Sequence, residues 1–539
     1  MTSRTALPGA PASAPIPSSY ASYTSYAQDP TDTMHPTHAA HASLASRAPH
    51  APTATHTPTA TADALTAPDT APAPDAAPEC GHERGHITDS RFYGHIYATE
   101  TSRAVFCDIC RFQSWLDIEA QLALAQAELG MIPQWAADRI AERAQVHLLD
   151  LDGVRAEIRR TAHSLVGLLR AFQAVCGPEA GEYIHYGTTT QDIQDTGQVL
   201  AMKRVLDSLQ GLIAGMVRRL VEICDEHATT VVLGRTHAQP ALPIGFGLKA
   251  AGWIDELLRH DERIEALRPR VLVLQLFGGA GSMAGFDGRG PELLERLADR
   301  LGLAVPVTGW HAARDRMAEY VSTLAMAAGT LGRIADEIRT LGRPEIAEVQ
   351  EAWYLGKVGS STMPHKRNPE GCEQIVVMAR LAAAQAAPAL AAMGGDHERD
   401  GRTLRMEWVC VPDVSHYTLT ACEIMTRVLN GLTVRTDRAL ANVLEVRDQV
   451  ATEGLMLAFA AHLGKQSAHE RVYQLIQRGI SERRSLRELI EADEQLGGVL
   501  GRDELDRLFD PARYLGDSAL LTRRVTDRAR AWLAARPTP

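Results

Sequence analysis

Eight apolar residues, Val199, Met202, Leu206, Leu209, Ile213, Met216, Leu220 and Ile223, follow one another at alternating intervals of three and four. Such a set lies on one face only in a helix, and a seam sustained this long belongs to a bundle or coiled coil. At about 1.5 Å of rise per residue, the segment 191–224 is a rod roughly 50 Å long. A second seam repeats the spacing with Met317, Tyr320, Leu324, Ala327, Leu331, Ile334, Ile338 and Leu341. One stripe suits any core helix. Two unbroken seams predict an all-α fold built on a long central bundle, extended by other subunits because one chain is not expected to cover both. A content of only 5% aromatic residues agrees with helices rather than sheets.

Further helices are predicted at 111–129, where Gly130 and Pro133 stop the pattern, and at 152–175, 240–268, 370–392, 412–432 and 437–463. Shorter, charged helices follow beyond about 466. Residues 1–85 are rich in Ala, Pro, Thr, Ser and His and nearly lack large apolar side chains. Such a segment buries too little surface to offset its ordering entropy, so it reads as a disordered tail, with Met34 an alternative start. The division predicted is a tail (1–85), an N-terminal helical domain (86–185), the central bundle (186–436) and a small C-terminal helical domain (437–539).

A net charge of −11 and a pI near 6.0 leave no basic footprint for nucleic acid. No apolar run of roughly 18–20 residues is read as a membrane span, and no secretory leader is recognised. The expectation is a soluble, cytoplasmic protein. Eight scattered cysteines do not form a disulfide framework. Cys107 and Cys110 make one CxxC, read as helix-packing thiols. Cys80, His82 and His86 lack a fourth ligand, and His35, His38 and His41 belong to low-complexity sequence, so no metal site is expected.

Three polar islands interrupt the helical background. HYGTTTQDIQDT (185–196) opens the first seam helix, and its hydroxyls and free N–H groups suit an anion. GRTHAQPALP (234–243) precedes another helix and carries His237, a side chain suited to proton transfer near neutrality. GSSTMPHKRNP (359–369) is a loop, because Gly359, Pro364 and Pro369 break any helix. Lys366 and Asn368 there suit a carboxylate, while Ser360 has no neighbouring Asp–His pair for hydrolysis. Together the islands point to proton abstraction beside a carboxylate.

At these residues the chain resembles the aspartase/fumarase superfamily, in the branch of 3-carboxy-cis,cis-muconate cycloisomerases and adenylosuccinate lyases. GSSTMPHKRNPEGCE resembles its signature loop, TTTQD and GRTHAQPA its two other motifs, and WHAARDRMAEY (310–320) adds support. The resemblance extends over about 90–465. It implies a homotetramer sharing one bundle, with each site assembled from three subunits and a small dicarboxylate as substrate. It implies Ser360 as base on a mobile loop, and His237, hydrogen-bonded to Glu373, as acid or orienting group. Thr189, Thr190 and Gln191 would hold carboxylates and Thr236 and Gln239 line the site. Ser361, Lys366 and Asn368 would support the dianion. Neither metal nor cofactor is implied. HERDGRTLRMEW lacks the serines with which adenylosuccinate lyases bind nucleotide, and His237 stands where many bacterial muconate cycloisomerases have Trp. The reading is therefore a fumarate-releasing lyase for a small substituted succinate, nitrosuccinate first. 3-Carboxy-cis,cis-muconate, adenylosuccinate and a catalytically silent homologue are the alternatives.

Overall fold

The computed structural model describes residues 85–536. The expectations placed on Met34, His35, His38, His41, Cys80 and His82 lie outside the described residues. Five helices come first: α1 (Glu100–Phe106), α2 (Asp108–Glu128), α3 (Gln134–Arg143), α4 (Leu151–Thr161) and α5 (Val166–Cys176). The single helix expected at 152–175 is thus two. Ala162 ends α4 in the left-handed region at φ 53°, and the His163 ring accepts the N–H of Val166 at 3.2 Å.

The bundle consists of α6 (Thr190–His227), α7 (Phe246–Val271), α9 (Asp315–Leu341), α10 (Glu370–Ala384) and α12 (Gly401–Asn430), with the shorter α8 (Gly290–Leu301) and α11 (Ala386–Ala391) between them. α9 packs against α10 and α12, and α6 against α7 and α12. Both seams face this interior, and no seam residue is more than 5% exposed. One chain therefore covers both seams, which corrects the expectation that other subunits are needed for that. Exposed apolar side chains on these helices, Met326, Val377, Leu390, Met393 and Val409 among them, lie outside the seams. The stretch Glu370–Ala391 is also long and apolar enough to cross a membrane by length and composition alone, although no span was expected. One side of it is held by α9 and α12.

Two further departures concern proline. Where a helix was expected from 240, the chain forms an antiparallel hairpin of β1 (Val231–Thr236) and β2 (Gln239–Gly245), and α7 starts only at Phe246. Pro240 and Pro243 lack the N–H a helix interior needs. Conversely α12 continues through Pro412, and it starts upstream of the expected 412, where Asp400 accepts the N–H of Arg402 at 2.8 Å. A second pair of short strands, β3 (Val349–Gln350) and β4 (Thr433–Val434), ties the ends of α9 and α12 together.

The expected helix 437–463 is three: α13 (Thr436–Glu445), α14 (Arg447–Val450) and α15 (Thr452–Leu463). With α16 (Lys465–Glu482), α17 (Leu486–Glu491) and α18 (Arg502–Leu508), α15 encloses a separate small core around Leu455, Phe459, Leu475 and Leu489. The last helix, α19 (Ser518–Ala534), leaves that core and returns to α6 and α7.

At one end of the bundle sits a fully buried charge cluster. Arg314, before α9, donates to Asp195 of α6 at 2.8 and 2.9 Å and to Glu407 of α12 at 2.7 Å, with a second bond to Glu407. Its guanidinium lies 5.1 Å from the centre of the Trp310 ring. Burial alone would disfavour its charge, but the two carboxylates outweigh that and raise its pKa. Burial raises that of Glu407. Removing Arg314 leaves two carboxylates buried without a cation. Arg314→Leu should therefore destabilise the fold by about 3–5 kcal/mol, read as a shift in the denaturant midpoint.

Candidate functional site

The first island forms the N-terminus of α6, and its capping is done by Asp192. This buried carboxylate accepts N–H bonds from Thr189 at 3.0 Å and from Phe277 and Gly278 at 2.9 Å each, and lies 2.9 Å from His311 Nε2. Thr189 shares the capping, its side chain taking the Asp192 N–H in a reciprocal capping box. Thr188 donates to the carbonyl of His185 at 3.2 Å, and Thr189 Oγ1 accepts a hydrogen bond from Arg399. Thr190 is half-buried. Gln191 departs from its expected role of holding substrate. It is 3% exposed, and its amide donates to Asp195 at 3.0 Å and to the His311 carbonyl at 3.1 Å, so its donors are committed inside the protein.

His185, beside these threonines, is held by Glu119 of α2. Its ring Nδ1 is 2.7 Å from the carboxylate, and its backbone N–H donates to the same group at 3.1 Å. Burial opposes a charge on the ring, but the Glu119 carboxylate outweighs it and raises the His185 pKa. Arg399 and His185 thus place cationic character at a helix N-terminus that already favours anions.

The second island is the tip of the β1–β2 hairpin. Thr236 pairs with Gln239, so the turn consists of His237 and Ala238 alone. Both have positive φ, 49° and 63°, as a two-residue hairpin of the mirror-image type requires. Asn-Gly or Gly-Gly meets that requirement without strain; a His-Ala pair does not, and such strain concentrates at functional sites. Thr236, His237, Ala238 and Gln239 are all exposed.

The third island is a loop whose neck is closed by Asn368 donating to the Gly359 carbonyl at 2.6 Å. A Cβ on Gly359 would come within 2.2 Å of the Lys366 carbonyl, so glycine is required there. Ser360 Oγ accepts the backbone N–H groups of Met363 at 3.0 Å and Thr362 at 3.3 Å. Hydrogen bonds donated to an oxygen favour its anionic form. Arg367 and Lys357 stack against Trp353, at 5.5 and 5.1 Å from the ring centre. Among the described residues, the Lys366 side chain makes neither a hydrogen bond nor an ion pair, and both it and Ser361 are exposed. Asn368, by contrast, has one donor engaged in holding the neck.

These islands do not meet within one chain. α6 carries Thr189 at one end and leads into β1 at the other, and its 38 residues span about 57 Å. α12 runs alongside it in the same direction, since Arg399 reaches Thr189 and Arg219 donates to the Leu429 carbonyl at 3.2 Å. At the far end Arg235 of the hairpin pairs with Glu348, and nearby Glu351 accepts the N–H of Cys372 at 2.9 Å in the first turn of α10, directly after the loop. Hairpin and loop therefore share one end, and the threonine island occupies the other. The expected His237–Glu373 hydrogen bond is likewise not made within the chain: both side chains are exposed.

Sequence reasoning missed Glu119, His185, His311, Arg314 and Arg399 as members of the site. The signal was present as a carboxylate on the apolar face of α2, next to Ile118 and Ala120, and as the dense polar content of WHAARD and HERDGR.

Comparison with known proteins agrees with this architecture. The family described as Lyase matches residues 95–383, and that described as Adenylosuccinate lyase C-terminus matches 448–525. An N-acetyl-S-(2-succino)cysteine lyase of Dickeya dadantii is 38% identical over 436 residues, covering 80% of this chain and 95% of the relative. A 3-carboxy-cis,cis-muconate cycloisomerase of Pseudomonas aeruginosa is 36% identical over 434 residues, covering 80% and 92%. The crystal structure of 3-carboxy-cis,cis-muconate lactonizing enzyme from Pseudomonas putida superposes with a TM-score of 0.78 at 34% identity, covering 83% of this chain and all of that one.

The His185–Glu119 pair has a signed pH dependence. A folded-state pKa raised above the ordinary value of about 6.5 adds stability that is fully present below that pH. That stability is lost as pH rises through the raised value. His185→Asn should remove this component, so the difference in melting temperature between wild type and variant should be largest in mild acid and shrink towards alkaline pH. Parallel melting curves across the pH range would refute it.

Proposed function

We infer the reaction from membership: the chain belongs to the aspartase/fumarase superfamily of lyases. We propose that it eliminates a substituent from a 2-substituted succinate and releases fumarate. Ser360, as the alkoxide, takes a proton from C3, the electron pair forms the double bond, and the substituent leaves C2 as an anion. The observation that carries this reading is the pair of N–H groups aimed at Ser360 Oγ, at 3.0 and 3.3 Å, which stabilise negative charge on the base. Lys366 and Asn368 stabilise the dianion that builds up on the neighbouring carboxylate. Thr189 and Thr190, with His185 and Arg399 behind them, hold the second carboxylate. His237 and Glu373 orient the substrate, and Thr236, Gln239 and Ser361 line the site.

Because the threonine island and the loop lie at opposite ends of α6, this reading requires more than one copy of the chain around each substrate. The uncovered apolar side chains at Val377, Leu390 and Met393 supply surface for that assembly, in keeping with a homotetramer. A cytoplasmic location belongs to the same reading.

For the leaving group we propose nitrite, from nitrosuccinate. It departs with little protonation, and the chain lacks the serines for a nucleotide. A second reading, a thiolate leaving from an S-succinylated cysteine, is favoured by the 38% identity to N-acetyl-S-(2-succino)cysteine lyase.

The purified enzyme should be given nitrosuccinate, N-acetyl-S-(2-succino)cysteine, adenylosuccinate and 3-carboxymuconate in parallel, following alkene absorbance, nitrite and free thiol. Fumarate with nitrite or thiol is the expected outcome; turnover of adenylosuccinate alone would overturn the small-substrate reading. Ser360→Ala should lower turnover by about two to four orders of magnitude with assembly intact. Thr189→Ala and Ser360→Ala, each weakly active alone, should regain activity when co-expressed, because hybrid assemblies contain sites with both residues. No regain would place each site within a single chain.

A further inference from the structure

Cys107 ends α1 and opens α2. Its backbone is extended, at φ −65° and ψ 152°, and its Sγ accepts the N–H of Cys110 at 3.3 Å. Cys107 is exposed and Cys110 half-buried, while the other described cysteines, Cys176, Cys224, Cys372, Cys410 and Cys422, are buried. Helix capping alone does not explain a sulfur here. Thr99, Asp150, Asp400 and Ser485 cap their helices with oxygen, a better acceptor of an N–H than sulfur.

The geometry suits a bond between the two sulfurs. Residues three apart in a helical turn have Cβ atoms about 5–6 Å apart, and a disulfide needs only a modest closure from that spacing. The thiolate is the reactive form of a cysteine. The more exposed sulfur is the one at the helix end, so it meets a reagent first.

We propose that Cys107 and Cys110 form a thiol–disulfide exchange site that accepts a small-molecule disulfide as oxidant. The Cys107 thiolate attacks one sulfur of the disulfide, forming a mixed disulfide and expelling one small thiolate. Cys110, giving up its proton, then attacks Cys107 Sγ and expels the second thiolate. The protein loses two electrons and two protons, and the disulfide is reduced to two thiols.

The test uses the full-length, assembled enzyme with Cys80→Ser, so that no thiol of the N-terminal segment competes, and glutathione disulfide as probe. After incubation and alkylation of the remaining thiols, the peptide spanning 107–110 should be lighter by two hydrogen atoms, reversibly with a dithiol reductant. Cys110→Ser should stop at the mixed disulfide and keep one glutathione on Cys107. Cys107→Ser, which retains a good capping side chain, should react about tenfold more slowly at Cys110. A wild-type peptide that stays reduced, or that stops at the mixed disulfide, overturns the proposal.

Discussion

The bundle depends on a charge cluster that would be costly anywhere else in it. Arg314, Asp195 and Glu407 are buried completely, and their mutual bonds offset much of the loss of water. Each member comes from a different part of the chain: the start of α6, the segment before α9, and the first turns of α12. Bringing them together aligns three long helices at one end and at one depth. The same network extends to the site, since Gln191 and Gln275 also donate to Asp195, and His311, three residues before Arg314, meets Asp192. The turn that presents Thr189 is thereby braced by the buried charge cluster through Gln191 and His311.

Much of this was legible in the sequence, and for a physical reason. A seam such as Val199 to Ile223 reports helical period directly, and capping residues such as Asp192 report where a helix begins. The three polar islands stood out because polar side chains between apolar helices need a purpose. What stayed hidden was long-range. Nothing local says that Arg314 meets residues more than ninety positions away, or that Glu119 turns inward to His185. Proline misled in both directions: Pro240 and Pro243 accompany a hairpin, whereas Pro412 sits inside α12. The seams were recognised, but not that one chain covers them, since a periodic pattern shows that a face is buried and not by what.

The two ends of the molecule are built on different principles. At the threonine end the backbone N–H groups of Thr189, Phe277 and Gly278 converge on one buried carboxylate, Asp192, so this turn is fixed to the bundle. At the loop and hairpin end the working groups are exposed and held by few bonds. There the conformation is set by backbone demands, the left-handed turn at His237–Ala238 and the tight neck at Gly359. One end is thus buried and tied to the core, and the other is accessible and strained.

The uninterrupted course of α6 also makes it a ruler. Its length sets the spacing between the threonine turn and the hairpin, and its winding sets the angle between them. One residue inserted between Thr190 and His227 would lengthen the rod by about 1.5 Å and rotate one end against the other by about 100°. The seam would turn out of the core and the hairpin would point away from its neighbour. An insertion of seven residues, close to two whole turns, would nearly preserve the angle while moving the ends apart by roughly 10 Å. Between Thr190 and His227, descendants of this chain must therefore keep count.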